Sequence, residues 1–290
     1  MNTYASVNYY LTARRKMILQ QFLQNRKKIL GMNERNLFYI RRYDSRSAKL
    51  IADDKIITKK VLGKARIPTT RMIAIIKDKD VLEQFDFDAL PKSFVVKPAN
   101  GVAGGGIEIF YNRDKEGHFI RGNGTKISLP LLKLHMRNIL DGKFSHKYKQ
   151  DQIILEDRVI SYKGFRPYTH KGTPDVRVLL FRKVPIMAMI RWPTADSNGK
   201  ANLSEGAAAS GIDIATGVTT NSIKESKNGR IKFIEYVEGT QTRYSGVRIP
   251  YWDVILKNAV KSSDIAGLGY CAVDFLVDEH LGPLVVELNA

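Results

Sequence analysis

The chain has 290 residues, 43% hydrophobic and 26% charged, which excludes a disordered polymer and allows one large or two small cored domains. Its 47 Lys and Arg against 29 Asp and Glu give a net charge of +18. That excess favours anionic partners such as nucleotides, acidic polymers, nucleic acid or an anionic membrane surface, although a plain cationic surface also accounts for it.

The single cysteine, Cys271, leaves no intramolecular disulfide and no cysteine-built metal cage. No apolar run approaches the roughly eighteen residues of a spanning helix. The opening MNTYASVNYYLTARRK has no apolar stretch ahead of a small-residue cleavage site, so a cytoplasmic protein is the expectation.

Met17, Leu19, Phe22, Leu23 and Leu30 recur near helical spacing, with Arg14, Arg15, Lys16, Arg26, Lys27 and Lys28 among them. The pattern predicts a basic amphipathic helix, packed on the protein body or resting on a membrane surface. Residues 1–52 are read as a basic helical N-terminal extension. Asp53 and Asp54 then suit a helix start, Ile56, Ile57, Val61 and Leu62 supply its apolar face, and Pro68 closes it. Strands are predicted at residues 72–76, 93–97 and 107–111, the last two flanking PANGVAGGG. Residues 112–152 read as an elaboration, with a hairpin around Gly122-Asn123-Gly124 and a helix near 131–140.

Strands resume at residues 153–155, 176–181 and 185–191. The Gly/Ala/Ser-rich stretch 206–217 reads as a loop against a ligand or a neighbouring backbone. A helix around 252–262 leads to strands at 270–277 and 284–288, joined by a turn at 278–282. Strands and helices mixed without regular alternation imply an α+β or mixed α/β fold, not a barrel.

Three groups of residues carry chemistry. Gly104, Gly105 and Gly106 let backbone N–H groups approach phosphate oxygens, and Lys97 on the preceding strand adds a positive charge. No Gly-Lys-Ser/Thr closes this loop and a strand follows it, so it is neither a Walker A loop nor a dinucleotide fingerprint; a hairpin turn is the plain alternative. Asp274, Glu287 and Asn289 put three oxygen ligands on one hairpin, and Glu287 and Asn289, two apart, face the same side. Such hard ligands suit Mg²⁺; a carboxylate paired with Lys or Arg is the alternative. Arg177 in Asp175-Val176-Arg177, and Arg191 on the next strand, suit bidentate contacts with carboxylate or phosphate, or surface salt bridges. His118, His135, His146, His170 and His280 show no ligand spacing.

In this order the features resemble the ATP-grasp superfamily from about Asp53 to Ala290. The resemblance is closest to the glutamate-ligase-like branch, on GMNERNLFYIRRYDSRSAKLIADDK, FVVKPANGVAGGGI, PDVRVLLF, ANLSEGAAASG and VDFLV…VVELNA. The chain is also similar to the sugar-transfer-associated ATP-grasp group, whose members are linked to cell-envelope polysaccharide synthesis. The resemblance implies two α+β subdomains clasping a nucleotide: residues 53–156 as the N-terminal lobe with a glycine-rich lid, and 157–290 as the C-terminal lobe with a Mg-binding hairpin.

It further implies that Lys55 and Lys97 hold the ATP phosphates under a lid of Gly104, Gly105 and Gly106. Glu156, Asp157 and Val159 meet adenine, mostly through backbone. Asp274, Glu287 and Asn289 bind Mg²⁺, with two ions expected. Arg191 lies near the transferred phosphate, with Lys97 and Arg177 as catalytic partners, and Arg177, Asn202 and Ser210 shape the acceptor or acyl-phosphate pocket. The implied activity is ATP-dependent carboxylate–amine ligation through an acyl phosphate. Glutamate or a similar amino acid would be joined to an amine such as an acidic peptide or envelope precursor, with no side-chain nucleophile required.

The rivals are a kinase on the same fold, a degenerate binding fold, and a basic polyanion or nucleic-acid module. The last is disfavoured by the lack of aromatic-rich RNA-recognition strands. The sequence departs from the family pattern twice. Glu-x-Asn ordinarily continues into an Arg-Pro-Gly-like turn, whereas the sequence stops at Ala290. The region before Asp53 is shorter than the usual nucleotide-fold domain, so basic helices are expected to replace part of the substrate platform.

Overall fold

The computed structural model describes residues 30–101, 104–145, 148–226 and 228–290. The basic helix expected around Met17 to Lys28 lies outside the described residues. No helix among the described residues is long and apolar enough to cross a membrane.

The described chain opens with α1 over residues 32–43, made of helical Met32–Glu34, π-helical Arg35–Ile40 and helical Arg41–Tyr43. Ser45 caps α2 (Arg46–Asp53) by accepting from Ala48 N at 3.1 Å. Asp54 caps α3 (Lys55–Lys64), its Oδ1 accepting from Ile56 N at 2.7 Å and Ile57 N at 3.0 Å. Asp53 therefore ends one helix and Asp54 starts the next. Ile56 and Leu62 are buried but Ile57 is 40% exposed, and Thr58 and Lys59 are buried beside them.

Strands β1 (Met72–Ile76), β2 (Phe94–Pro98), β3 (Glu108–Arg113), β4 (Phe119–Arg121), β5 (Lys126–Ile127) and β6 (Ile153–Asp157) form an antiparallel sheet ordered β1-β6-β2-β3-β4-β5. Helices α4 (Lys79–Gln84) and α5 (Leu129–Leu140) share its core, where Leu82, Leu132, Met136 and Ile139 meet Phe94, Phe110 and Phe119. Residues 112–152 are thus no appendage, because β4, β5 and α5 complete this core.

The second antiparallel sheet contains β7 (Asp175–Phe181), β8 (Val184–Trp192), β9 (Ala208–Ile212), β10 (Thr219–Glu225), β11 (Ile231–Ile234), β12 (Tyr270–Asp278) and β13 (Gly282–Asn289). Their order is β11-β10-β9-β8-β7-β12-β13. One face is covered by α2, α3 and α6 (Trp252–Ala266), which join Ala48, Leu62, Ile255 and Ala259 to Val176, Val178, Leu180 and Trp192. The alternate residues Arg177 and Leu179 stand on the other face. Leu62 and Ile67 belong to this second core, so α3 packs on the second sheet although it precedes the first in sequence.

The expected loop at 206–217 is corrected here. Ala208–Ile212 is a central strand between β8 and β10. Its small residues give it little intrinsic strand preference, but Ala208 lies opposite Trp192, whose bulk fills the space they leave.

Candidate active site

The first buried cluster is built on α3. Lys55 and Lys59 are four apart and so share a helix face. Lys59 Nζ lies 2.9 Å from Glu156 Oε2 and donates to Thr70 O at 2.7 Å and to Thr70 Oγ1. Thr70 Oγ1 donates to Glu156 Oε2 at 2.7 Å, and Lys97 Nζ lies 2.6 Å from Glu156 Oε1. All four residues are buried. Burial opposes the Glu156 charge, yet Lys97 and Lys59 outweigh it and hold the carboxyl down to about 2. Burial and then Lys97 pull the Lys59 ammonium down to about 8, against the pull of Glu156.

The Glu156 side chain is taken up by two lysines and a threonine and braces Lys97, and its backbone pairs with Met72 and Val95.

The second cluster follows from strand register. Asp274 lies opposite both Arg177 and Glu287, and Asp175 lies opposite Arg191. Arg177 grips Asp274 with Nε–Oδ1 at 2.7 Å and Nη2–Oδ2 at 2.6 Å. Arg191 forks Asp175 and also donates to Asp274 Oδ2 at 3.2 Å, as does Asn289 Nδ2 at 3.2 Å. Burial and then Asp274 raise the Asp175 carboxyl above its ordinary range, against Arg191. Burial works against the Arg177 cation, but Asp274 still raises its pKa.

Lys55 joins the two regions. Its Nζ lies 3.1 Å from Glu287 Oε1 and donates to Gly101 O at 3.1 Å, at the start of the glycine loop. The segment after α3 also meets β13, with Val285 N donating to Pro68 O at 2.9 Å. The donor set suits a divalent cation. Asp274 and Glu287 face each other across one strand pair, Asn289 lies two residues on, and both carboxylates already hold positive groups.

The remaining expected residues divide. Gly104 and Gly106 take left-handed φ of 72° and 76°, and a Cβ at Gly106 would lie 2.7 Å from the Phe144 ring. Asp157 is tied to Arg71 by side chain and backbone. Beyond it, Val159 is buried, and Ile160 is fastened to the β12–β13 turn through Asp278 and Glu279. Asn202 Oδ1 lies 3.2 Å from Ser204 Oγ, within its own turn.

Ser210 is a second correction. It is fully buried, accepts from Trp192 Nε1 at 2.7 Å and lies 2.7 Å from Ser222 Oγ, so no substrate reaches its hydroxyl. Cys271 is buried and its thiol is pushed up to about 11, chiefly by burial, which suits no nucleophilic role. Asp114, Glu116 and His118 bring potential ligand atoms within 4.8 Å of one another; this turn is already knitted by Lys126–Asp114 and His118–Asp114 pairs.

Two participants escaped the sequence reading, Lys59 and Thr70, while Asp175 stood beside Arg177 in its motif without a role of its own. The spacing of Lys59 from Lys55 was visible. Its burial, and the approach of Thr70 across 86 residues to Glu156, were not.

Residues 34–290 match the family described as sugar-transfer associated ATP-grasp. No curated protein matches the chain. Among solved structures, D-alanine–D-alanine ligase from Bacillus anthracis aligns at 17% identity and a TM-score of 0.46, over 84% of this chain and 58% of its own. The same ligase complexed with ATP aligns at 16% identity and a TM-score of 0.46, over 84% of this chain and 56% of its own. The ATP-grasp ligase PsnB complexed with a minimal precursor aligns at 14% identity and a TM-score of 0.40, over 85% of this chain and 55% of its own. The chain therefore spans little more than half the length of these structures.

Proposed function

The chain belongs to the sugar-transfer-associated ATP-grasp family, and from that premise we propose that it is an ATP-dependent carboxylate–amine ligase. The lobes are the β1–β6 sheet with α4 and α5, and the β7–β13 sheet with α2, α3 and α6, so the expected boundary at residue 53 gives way to one after α3, and the reaction takes place in the cytoplasm. Lys55 and Lys97 hold the ATP phosphates, with backbone N–H groups of Gly104, Gly105 and Gly106 above them. Backbone of Asp157 and Val159 receives adenine. Asp274, Glu287 and Asn289 would hold Mg²⁺, as two ions, which would supply positive charge to offset that of the phosphates.

A carboxylate is a poor electrophile because its leaving group would be oxide. Its oxygen attacks the terminal phosphorus and ADP departs; the resulting acyl phosphate then carries a good leaving group. An amine attacks the acyl carbon, loses a proton, and expels phosphate. Lys97, Arg177 and Arg191 stabilise charge on the transferring phosphoryl group, so the protein acts by position and electrostatics. The donor is glutamate or a similar amino acid, and the acceptor is an amine on an acidic peptide or envelope precursor.

One observation carries this reading. A single helix, α3, touches the expected metal ligand Glu287 through Lys55 and the Lys97–Glu156 pair through Lys59. The test is an ADP-release screen over the twenty amino acids with hydroxylamine, which traps acyl phosphates as hydroxamates. A hydroxamate from one acid is expected. A phosphorylated alcohol would make the protein a kinase, and no ADP release with any acid would overturn the ligase reading.

A further inference from the structure

The charge of this chain is concentrated at one end. Residues 1–49 carry eleven Lys and Arg against two acids, half of the net +18. Within the described part of that region, α1 has two unlike faces. Tyr39 and Tyr43 point inward, their rings 5.6 Å and 5.0 Å from Phe181, with Tyr39 5.5 Å from Tyr270. Away from these rings, adjacent Leu37 and Phe38 of α1 are 53% and 62% exposed, and Arg35, Arg41 and Arg42 of the same helix are exposed as well. Lone exposed apolar residues need no explanation, but an adjacent exposed Leu and Phe on a helix that also exposes three arginines do.

We propose that this face of α1 docks on an anionic lipid surface. Stable peripheral binding takes two contributions, apolar insertion and attraction to anionic headgroups, and this face presents both. A nucleic acid would use the arginines but leave Leu37 and Phe38 without a role. The chain's own residues 1–29 are a poor cover by charge. They bring Arg14, Arg15, Lys16, Arg26, Lys27 and Lys28 and no acid, so like charges would meet.

The position gives the docking a consequence. Phe181 and Tyr270, on which α1 rests, lie four residues from Arg177 and Asp274 along their strands, an even offset that keeps them on one sheet face. That separation is about 14 Å. A bilayer held by α1 therefore lies beside the face bearing the Asp274 cluster, and the inference does not depend on the reaction proposed above.

The experiment is co-sedimentation of the full chain with vesicles of equal parts phosphatidylglycerol and phosphatidylcholine, against phosphatidylcholine alone. Binding to the anionic vesicles only, weakened by salt, is expected. The pair Arg41→Glu and Arg42→Glu should lower partitioning about 30-fold or more. The pair Leu37→Asp and Phe38→Asp should lower it about tenfold or more. Phe233→Asp, at an 80% exposed site on the far edge strand, should leave it unchanged. In a second measurement, Phe38→Trp emission should shift to the blue on adding anionic vesicles and stay put with neutral ones.

Several results would overturn the proposal. One is wild-type chain left in the supernatant. Another is binding that needs the arginines but not Leu37 and Phe38 and is matched by polyuridylate, which would mean general polyanion binding. Binding that emerges only after removal of residues 1–29 would make that segment the occupant, and a dimer broken by Phe38→Asp would make it a second copy.

Discussion

The clusters around Glu156 and Asp274 use the same chemistry with different charge balance. In the first, two buried ammonium groups share one carboxylate. In the second, Arg177 and Arg191 are matched by Asp175 and Asp274. An uncompensated buried charge is expensive, so the first region gains by taking up an anion. The second is already neutral and takes a cation only if its carboxylates exchange arginine for it. Under the proposed function, charge draws the phosphates to the Lys59–Lys97 side, and the hairpin takes the metal through the oxygen ligands its arginines release. Lys55 bridges them.

The largest expected effect would break the hairpin half of that comparison. Glu287→Gln should lower ADP release by more than about a thousandfold, because it removes one of the two carboxylate charges that would offset a divalent cation. The Lys55–Glu287 pair is partly exposed, so the fold should lose no more than about 1 kcal/mol. Undiminished turnover would remove Glu287 from the metal site.

Next comes the charge count itself. Glu156→Gln leaves Lys59 and Lys97 facing each other without an anion, and should cost about 3–5 kcal/mol in urea unfolding. Lys59→Met leaves a matched Lys97–Glu156 pair, and should cost about 1–2 kcal/mol. The opposite ranking would mean that Lys59 braces the region by packing rather than by charge.

The same cluster has a pH signature. The Glu156 carboxyl is held at about 2 in the fold against an ordinary 4.5, so its contribution is complete above pH 4.5 and is lost as pH falls towards 2. The loss should approach about 3 kcal/mol, and Glu156→Gln should abolish that limb of the stability profile. Lys59 works in the alkaline range. Its folded value near 8 lies below the ordinary 10.5, so the penalty for burying its charge is full below pH 8 and relieved as pH rises towards 10.5. Thermal melts of wild type and the two variants across pH would show both limbs.

Much of this was legible in the sequence. The strand at residues 72–76 was read to the residue, and the carboxylate hairpin was visible because Glu287 and Asn289 stand two apart between apolar neighbours. Lys59 was hidden, since a lysine amid Ile56, Ile57, Val61 and Leu62 looks like solvent-facing relief. Its burial depends on Glu156 arriving from 97 positions away. Strands β9, β10 and β11 were also hidden. Ala, Gly, Ser and Thr carry little hydrophobic periodicity, and these strands exist because neighbours in the sheet complete their ladders.

Ser210 provides the smallest test and the sharpest one for the outer strands. A serine in a Gly/Ala-rich run near two arginines invites a substrate role, but its hydroxyl is enclosed between Trp192 and Ser222. Ser210→Ala removes one hydrogen-bond partner from each, in a region already filled by Trp192, so the expected cost is about 1 kcal/mol of stability. The Trp192 fluorescence should report the lost bond, while kcat and KM for every substrate stay at their wild-type values. A raised KM for one substrate at unchanged stability would mean that β9 opens to the cleft, and the carboxylate-and-arginine face would then not be the whole of the site.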